Sequence, residues 1–265
     1  MKLAVNYSTA LAALLRQGVV QTDLIKCPEW DNLVDAGKAL GAVTVHFEIA
    51  IGNGSLKKLD FELIGRMLAT TDTPHLNTHL SAAPGMQANF KADQKRLPKA
   101  WARDLKTLRK AFPGVDIVCE NLPYVPFLPH LELSAQPELI SNFLNDADAG
   151  FILDISHARI TAANLGWDPH ETIARLPMAR LRELHVTGIR RYAGLLTDHF
   201  ELQEEDWPWM DWAHRQISTG AWHHPRVVAF EYGGVGEIFA WRTQKEHLRA
   251  QLPRLYALFG QSPQA

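Results

Sequence analysis

Short apolar runs rich in β-branched residues recur along the chain, and most are followed by stretches whose apolar residues return every three or four positions. The runs are KLAVN (2–6), DLIKC (23–27), AVTVHFE (42–48), HLNTHL (75–80), VDIVCE (115–120), GFILDI (150–155), LRELHV (181–186) and RVVAFE (226–231), eight candidate strands. Among the helical stretches, 99–112 carries Trp101, Leu105, Leu108 and Phe112 and stops at Pro113-Gly114. Residues 136–146 and 169–176 have the pattern of helix starts, and 240–259 that of a closing helix. Strands that are apolar throughout rather than alternating belong to a covered parallel sheet. Eight strand–helix units favour a closed (β/α)8 TIM barrel over an open doubly wound sheet. A dinucleotide fold would want GxGxxG after an early strand, but Gly52-Asn53-Gly54 lacks the third glycine and Gly233-Gly234-Val235-Gly236 comes too late. The expected organisation is one barrel domain over 1–260 and a polar tail over 261–265.

Composition narrows the class. The 265 residues are 46% hydrophobic, enough for a core without disulfide or metal staples. Lys+Arg is 27 against Asp+Glu 29, a net charge of −2, which argues against a nucleic-acid partner. No apolar run reaches the roughly 18–20 residues of a membrane span. The first residues, MKLAVNYSTALAALLRQG, are interrupted by Asn6, Tyr7, Ser8 and Thr9 and read as a strand and helix rather than an export leader. Cys27 and Cys119 alone do not make a disulfide framework, which fits a cytoplasmic enzyme.

The chemistry lies in where polar residues fall. From the third candidate onward the strands end in side chains able to bind metal: His46, His79, Glu120, Asp154 with His157, His185, and Glu231. Asp198-His199 lies in the loop after the seventh strand. In a β/α barrel the carboxyl ends of the strands converge on the face that carries active sites, so these residues are expected in one cup. Imidazoles and carboxylates suit zinc, iron and manganese. Nine such groups exceed one ion's need, which points to two or three ions, or to one ion with acid/base groups beside it. Taken singly, a histidine is more often a hydrogen-bonded structural residue, and Glu120-Asn121 reads equally as a helix cap. Taken together, so many charges at a barrel mouth are costly without a cation. His75, His130, His170, His214, His223, His224 and His247 fall elsewhere and are read as surface or packing residues.

Residues 150–191, GFILDISHARITAANLGWDPHETIARLPMARLRELHVTGIRR, resemble the multinuclear non-haem iron-dependent oxidative enzymes, TIM barrels of the xylose-isomerase-like superfamily. The likeness continues in VHFEIAIGNGSLKKLD (45–60), NTHLSAAPG (77–85), CENLPYVP (119–126) and VAFEYGG (228–234). It implies metal ligation by His46, His79, Glu120, Asp154, His157, His185, Asp198, His199 and Glu231, with two or three irons, manganese or zinc being the other candidates. The chain departs from the family pattern at three places. Its second strand ends Lys26-Cys27-Pro28-Glu29 instead of a Glu-rich motif, its Asp and His are adjacent at 198–199 instead of one apart, and Ile189-Arg190 stands where a second His is common.

Four functions compete. The resemblance implies oxidative modification of a peptide or small molecule with O2, the peptide often modified at cysteine and presented by a partner protein. Arg190 and Arg191 would then orient a carboxylate. A sugar isomerase or epimerase of the same superfamily would hold one divalent ion by Glu120, Asp154, His185 and Glu231. There the carboxylates of Glu120 and Glu231 would move a proton, His185 would serve the same catalytic set, and Arg191 would bind substrate. Phosphodiester cleavage as in endonuclease IV fits the ligand order but not the charge balance. A non-catalytic scaffold could recruit a partner through Trp207-Pro208-Trp209-Met210-Asp211-Trp212, although those rings read more readily as helix packing.

Overall fold

The computed structural model describes residues 1–261, so the expected tail beyond Gln261 lies outside the described residues. Its strands are β1 (Lys2–Asn6), β2 (Leu24–Pro28), β3 (Val43–His46), β4 (Ala50–Ile51), β5 (Leu76–Leu80) and β6 (Ile117–Asn121). They continue as β7 (Gly150–Asp154), β8 (Leu181–Val186), β9 (Gly188–Tyr192), β10 (Leu195–Phe200) and β11 (Val227–Phe230). Each of the eight apolar runs forms a strand. The chain divides into two compact units: Met1–His46 with Thr70–Thr73 and the chain from Glu183 onward, and Phe47–Ala69 with Pro74–Arg182.

In the first unit the strands run β3-β2-β1-β11-β8, each pair parallel. Their side chains are nearly all buried, as the continuous apolar runs require. The helix Thr9–Arg16 begins where the Ser8 hydroxyl accepts the Leu11 N–H at 3.1 Å, and it buries Ala10, Leu11, Ala12 and Leu14. The helix Lys245–Phe259 buries Leu248, Leu252, Leu255 and Phe259 and tolerates Pro253 in its middle. The tryptophan-rich stretch opens the helix Trp207–Ser218 and packs as rings on rings. Trp209 meets Trp212, Trp212 meets Trp222 at 4.9 Å, and the Arg254 guanidinium lies 4.0 Å over Trp207.

The hairpin β9–β10 was not visible in the apolar pattern. Its strands are largely polar and half-exposed, and its two-residue turn is Ala193-Gly194, both with positive φ. A mirror-image turn of this kind suits a hairpin, but alanine at its first position gives no sequence signal.

In the second unit the parallel order is β7-β6-β5-β4. Its longest helix, Lys91–Ala111, starts well before the predicted residue 99 and runs through Pro98. Leu97, Ala100, Trp101, Leu105 and Leu108 form its buried face, which outweighs the hydrogen bond that Pro98 forgoes. The Trp101 indole N–H donates to the Ser81 carbonyl at 2.7 Å, tying that helix to the loop after β5. No helix among the described residues is long and apolar enough to cross a membrane.

Candidate metal centre

In the second unit, strand register gathers the site. His79 of β5 stands level with Glu120 of β6 in the parallel ladder, so both side chains leave the same face. His79 Nε2 lies 3.5 Å from Glu120 Oε2, and the His79 ring is steered through Nδ1, 3.0 Å from the Ile49 carbonyl. Asp154 ends β7 and caps the helix Ile155–Leu165, its Oδ1 accepting the His157 N–H at 2.8 Å. That cap sets the Asp-x-x-His spacing: one turn into the helix, His157 Nε2 lies 3.5 Å from Asp154 Oδ2 and its Nδ1 lies 3.5 Å from Glu120 Oε1. Glu120, Asp154 and His157 each offer a ligand atom, all within 4.8 Å of one another, and all three residues are buried.

Asn121, read from sequence only as a helix cap, holds this arrangement. Its side chain donates to the Asp154 carbonyl and accepts the Asp154 N–H, at 3.0 and 2.9 Å. Its own carbonyl receives His157 Nδ1 at 2.8 Å, which leaves Nε2 as the natural metal-facing nitrogen.

In the first unit, His46 at the end of β3, His185 in β8 and Glu231 just beyond β11 form a second triad, again within 4.8 Å. His185 is level with Ala229, and Glu231 lies two residues on, so both point to the same face. The His46 and His185 rings meet edge to face at 5.4 Å. His185 Nδ1 is 3.4 Å from Glu231 Oε1, and His199 Nε2 is 4.0 Å from Glu231 Oε2. Burial by itself would push the Glu231 carboxyl up, but the charges of His185, then Lys26, His199 and His46 hold it well below the ordinary carboxylate range.

His199 sits at an irregularity of the β10 ladder with φ of 59°, a conformation that L side chains seldom adopt. Its Nδ1 lies 3.2 Å from the Gly233 carbonyl, which aims Nε2 at Glu231. Strain held by such contacts is typical of functional positions. Neighbouring Asp198 is half-buried and belongs to neither triad; its carbonyl accepts from Arg242 at 2.7 Å. Arg191 projects from the exposed hairpin and donates to the Gly194 carbonyl at 3.1 Å, whereas Arg190 is tied inward to Glu201 and Asp206.

In the sequence Lys26 is only a departure from the family pattern. It is 4% exposed, its Nζ 2.8 Å from His185 Nε2, 2.5 Å from Glu231 Oε1 and 3.6 Å from Glu183 Oε1. The sequence signal was a lone lysine inside an apolar strand, LIKCP. Neutral imidazoles and carboxylates are ordinary donors for divalent iron, manganese and zinc, so both triads fit such an ion by their chemistry.

A family model described as "RiPP precursor modification enzyme MbnB/TglH/ChrH" matches residues 48–220. A UPF0276 protein of Acaryochloris marina is 25% identical over 209 residues, spanning 76% of this chain and 70% of that protein. A D-psicose 3-epimerase solved in the presence of D-fructose superposes with a TM-score of 0.61 at 12% identity, covering 97% of both chains. An IOLI protein solved with a bound zinc atom gives a TM-score of 0.64 at 15% identity, covering 97% of this chain and 98% of that one. These likenesses show the fold: an α/β barrel of the xylose-isomerase-like TIM class, as the eight strand–helix units predicted.

Proposed function

The chain belongs to the MbnB/TglH/ChrH family of RiPP precursor modification enzymes, and from that premise we propose that it oxidatively modifies a peptide, using two or three bound irons with O2 as the oxidant. The observation that carries this reading is the pair of His/carboxylate triads in a chain of that family, Glu120–Asp154–His157 buried throughout and His46–His185–Glu231 with only His46 half-buried. Iron bound at such donors supplies one-electron chemistry with O2, which no amino-acid side chain performs alone.

The protein's own residues hold, orient and exclude. Metal ligation falls to His79, Glu120, Asp154 and His157 in one unit, and to His46, His185, Asp198, His199 and Glu231 in the other. Asn121 fixes Asp154 and the His157 tautomer, so the donors meet an ion without rearrangement. The carboxylates of Glu120 and Glu231 and the His185 ring are the groups able to take or return a proton. Burial of Glu120, Asp154, His185 and Glu231 keeps bulk water from them. Arg191, on the exposed hairpin, offers a planar guanidinium to a substrate carboxylate. A partner protein that presents the peptide, and a cytoplasmic site of action, go with this reading.

The test is O2 uptake by anaerobically purified, iron-loaded protein offered candidate precursor peptides, with mass spectrometry of the peptide. Uptake that depends on the peptide and leaves it changed in mass supports the proposal. Turnover of ketoses with manganese in the absence of O2, with no peptide-dependent uptake, replaces it with the isomerase.

A further inference from the structure

His199 is fixed at a place where its own strand does not fix it. Thr197 pairs with Arg190 and Phe200 with Gly188, so Asp198 and His199 together stand opposite Ile189 alone. Such a β-bulge interrupts the ladder and re-aims a side chain. His199 takes a φ of 59° there, in the left-handed region that a residue other than glycine keeps only where its surroundings impose it.

Two contacts impose it, one on each side of the His199 Cα. The angle φ is set by the peptide plane that carries the Asp198 carbonyl, and the Arg242 guanidinium donates to that carbonyl at 2.7 Å. The next peptide plane carries the His199 carbonyl, which accepts the Gly233 N–H at 3.0 Å. With both rigid planes held, the direction in which the side chain leaves the backbone is decided. The Phe239 ring then lies 4.5 Å from the imidazole, centre to centre, and the Arg242 guanidinium lies 5.3 Å from the centre of Phe239.

Arg242 is held in its turn. It is 7% exposed, and its guanidinium lies 4.5 Å from the centre of the Phe200 ring and 5.4 Å from that of Trp241. Its own carbonyl accepts from the Tyr232 hydroxyl at 2.7 Å, which anchors the arginine to the residue that follows Glu231. Its Nε is buried with no hydrogen-bond partner among the described residues. Taking a guanidinium out of water for a neutral carbonyl is unfavourable, and an apolar side chain would fill a nest of aromatic rings more readily. What the buried charge secures is the Asp198 carbonyl, and through it the direction of His199.

Resting on the metal-enzyme reading above, we propose that Arg242 is a positioning residue for His199: together with the Gly233 backbone it locks the strained bulge that aims His199 Nε2 at Glu231, and so sets how tightly the first unit holds an ion. Arg242 touches neither ion nor substrate in this role and acts through His199 alone.

The test is a double-mutant cycle on metal binding, read without activity. Metal-free wild type, Arg242→Met, His199→Ala and the double variant are titrated with Mn2+ alone under equilibrium dialysis, and the equivalent whose Kd rises in His199→Ala is the one compared. Arg242→Met is expected to weaken that equivalent about 10–100-fold when His199 is present, and to weaken it no further when His199 is alanine. A loss of the same size with and without His199 is a general structural effect and overturns the proposal. So does an Arg242→Met affinity equal to the wild type, or a His199→Ala variant that binds every equivalent as the wild type does. Should the variants fail to fold, wild-type crystals soaked in Mn2+ decide it. Anomalous density bonded to His199 with Arg242 on the Asp198 carbonyl supports the proposal; density bonded to His199 with Arg242 turned away, or to His185 and Glu231 without His199, overturns it. Protein that takes up no metal in any form overturns the metal reading together with this one. Peptide oxidation fails on its own assay and leaves the positioning standing.

Discussion

Two thiols neighbour the site residues in sequence and face away from them. Cys27 follows Lys26 and Cys119 precedes Glu120, and in a strand successive side chains point to opposite faces. Cys27 Sγ lies 3.5 Å from the Leu33 carbonyl, and the Thr78 hydroxyl lies 3.4 Å from Cys119 Sγ. Burial pushes the Cys27 thiol from 9.0 up to about 12, and burial likewise raises Cys119 to about 11 against the opposing Thr78 bond and Arg109 charge. Both thiols are therefore protonated and inert at neutral pH. Iodoacetamide at pH 8 should label neither cysteine in the native protein and both after denaturation; labelling of the native chain would contradict their placement. Because the folded values lie above the unfolded ones, their contribution to stability is complete below about pH 9 and is lost as pH rises towards 11 and 12. Gly52 is a second position where one side chain decides the structure. Its φ is 93°, and a Cβ there would press on the Ser81 carbonyl and the Trp101 ring. Gly52→Ala should cost about 2–4 kcal/mol in a denaturant titration, from strain and overpacking together. At this scale the sequence told the chemistry of each ligand but not its company. Asn121 gave no sign that its side chain would clamp the Asp154 backbone, a contact that exists only once β6 and β7 are paired.

Among the elements, the helix Ile155–Leu165 shows how one residue serves both fold and site. Asp154 ends a strand, caps a helix and offers its second oxygen to the triad. Asparagine keeps the cap but loses the charge, whereas alanine loses both. Metal-free Asp154→Asn should melt near the wild type, and Asp154→Ala should be less stable by about 1 kcal/mol, while both should lose metal from the second unit. An unchanged metal content in either variant would remove Asp154 from the ligand set. Asn121→Ala should weaken metal binding about 10–100-fold with Glu120, Asp154 and His157 intact, because it removes the side chain that clamps the Asp154 backbone while the main-chain carbonyl still holds His157; dialysis against a chelator series measures this. The eight main strands were legible because each is a short buried run, and a buried parallel strand has no polar alternation to obscure it. The hairpin β9–β10 was not, being half-exposed and polar. The helix Lys91–Ala111 was legible only in its second half, because Pro98 reads as a breaker where the packing of Leu97, Ala100 and Trp101 overrides it.

For the whole molecule, the fold class followed from counting strand–helix units, and the superpositions with xylose-isomerase-like barrels bear it out. The site followed from the ends of those strands, since a parallel sheet sends its carboxyl ends one way. His79, Glu120, Asp154 and His157 do meet in the second unit, and His46, His185, His199 and Glu231 in the first. The company of Lys26 was out of reach because His185 and Glu231 lie 159 and 205 residues away in the chain, and only strand register brings them level. The central claim is an iron centre that oxidises a peptide. Its most direct test is one oxygen-electrode run on anaerobically prepared protein with its iron per chain measured beforehand, before and after addition of the precursor peptide. The account predicts more than one iron per chain and O2 uptake that begins with the peptide and stops when it is consumed. A chain that carries a single manganese or zinc, and leaves O2 untouched with every peptide offered, would contradict it.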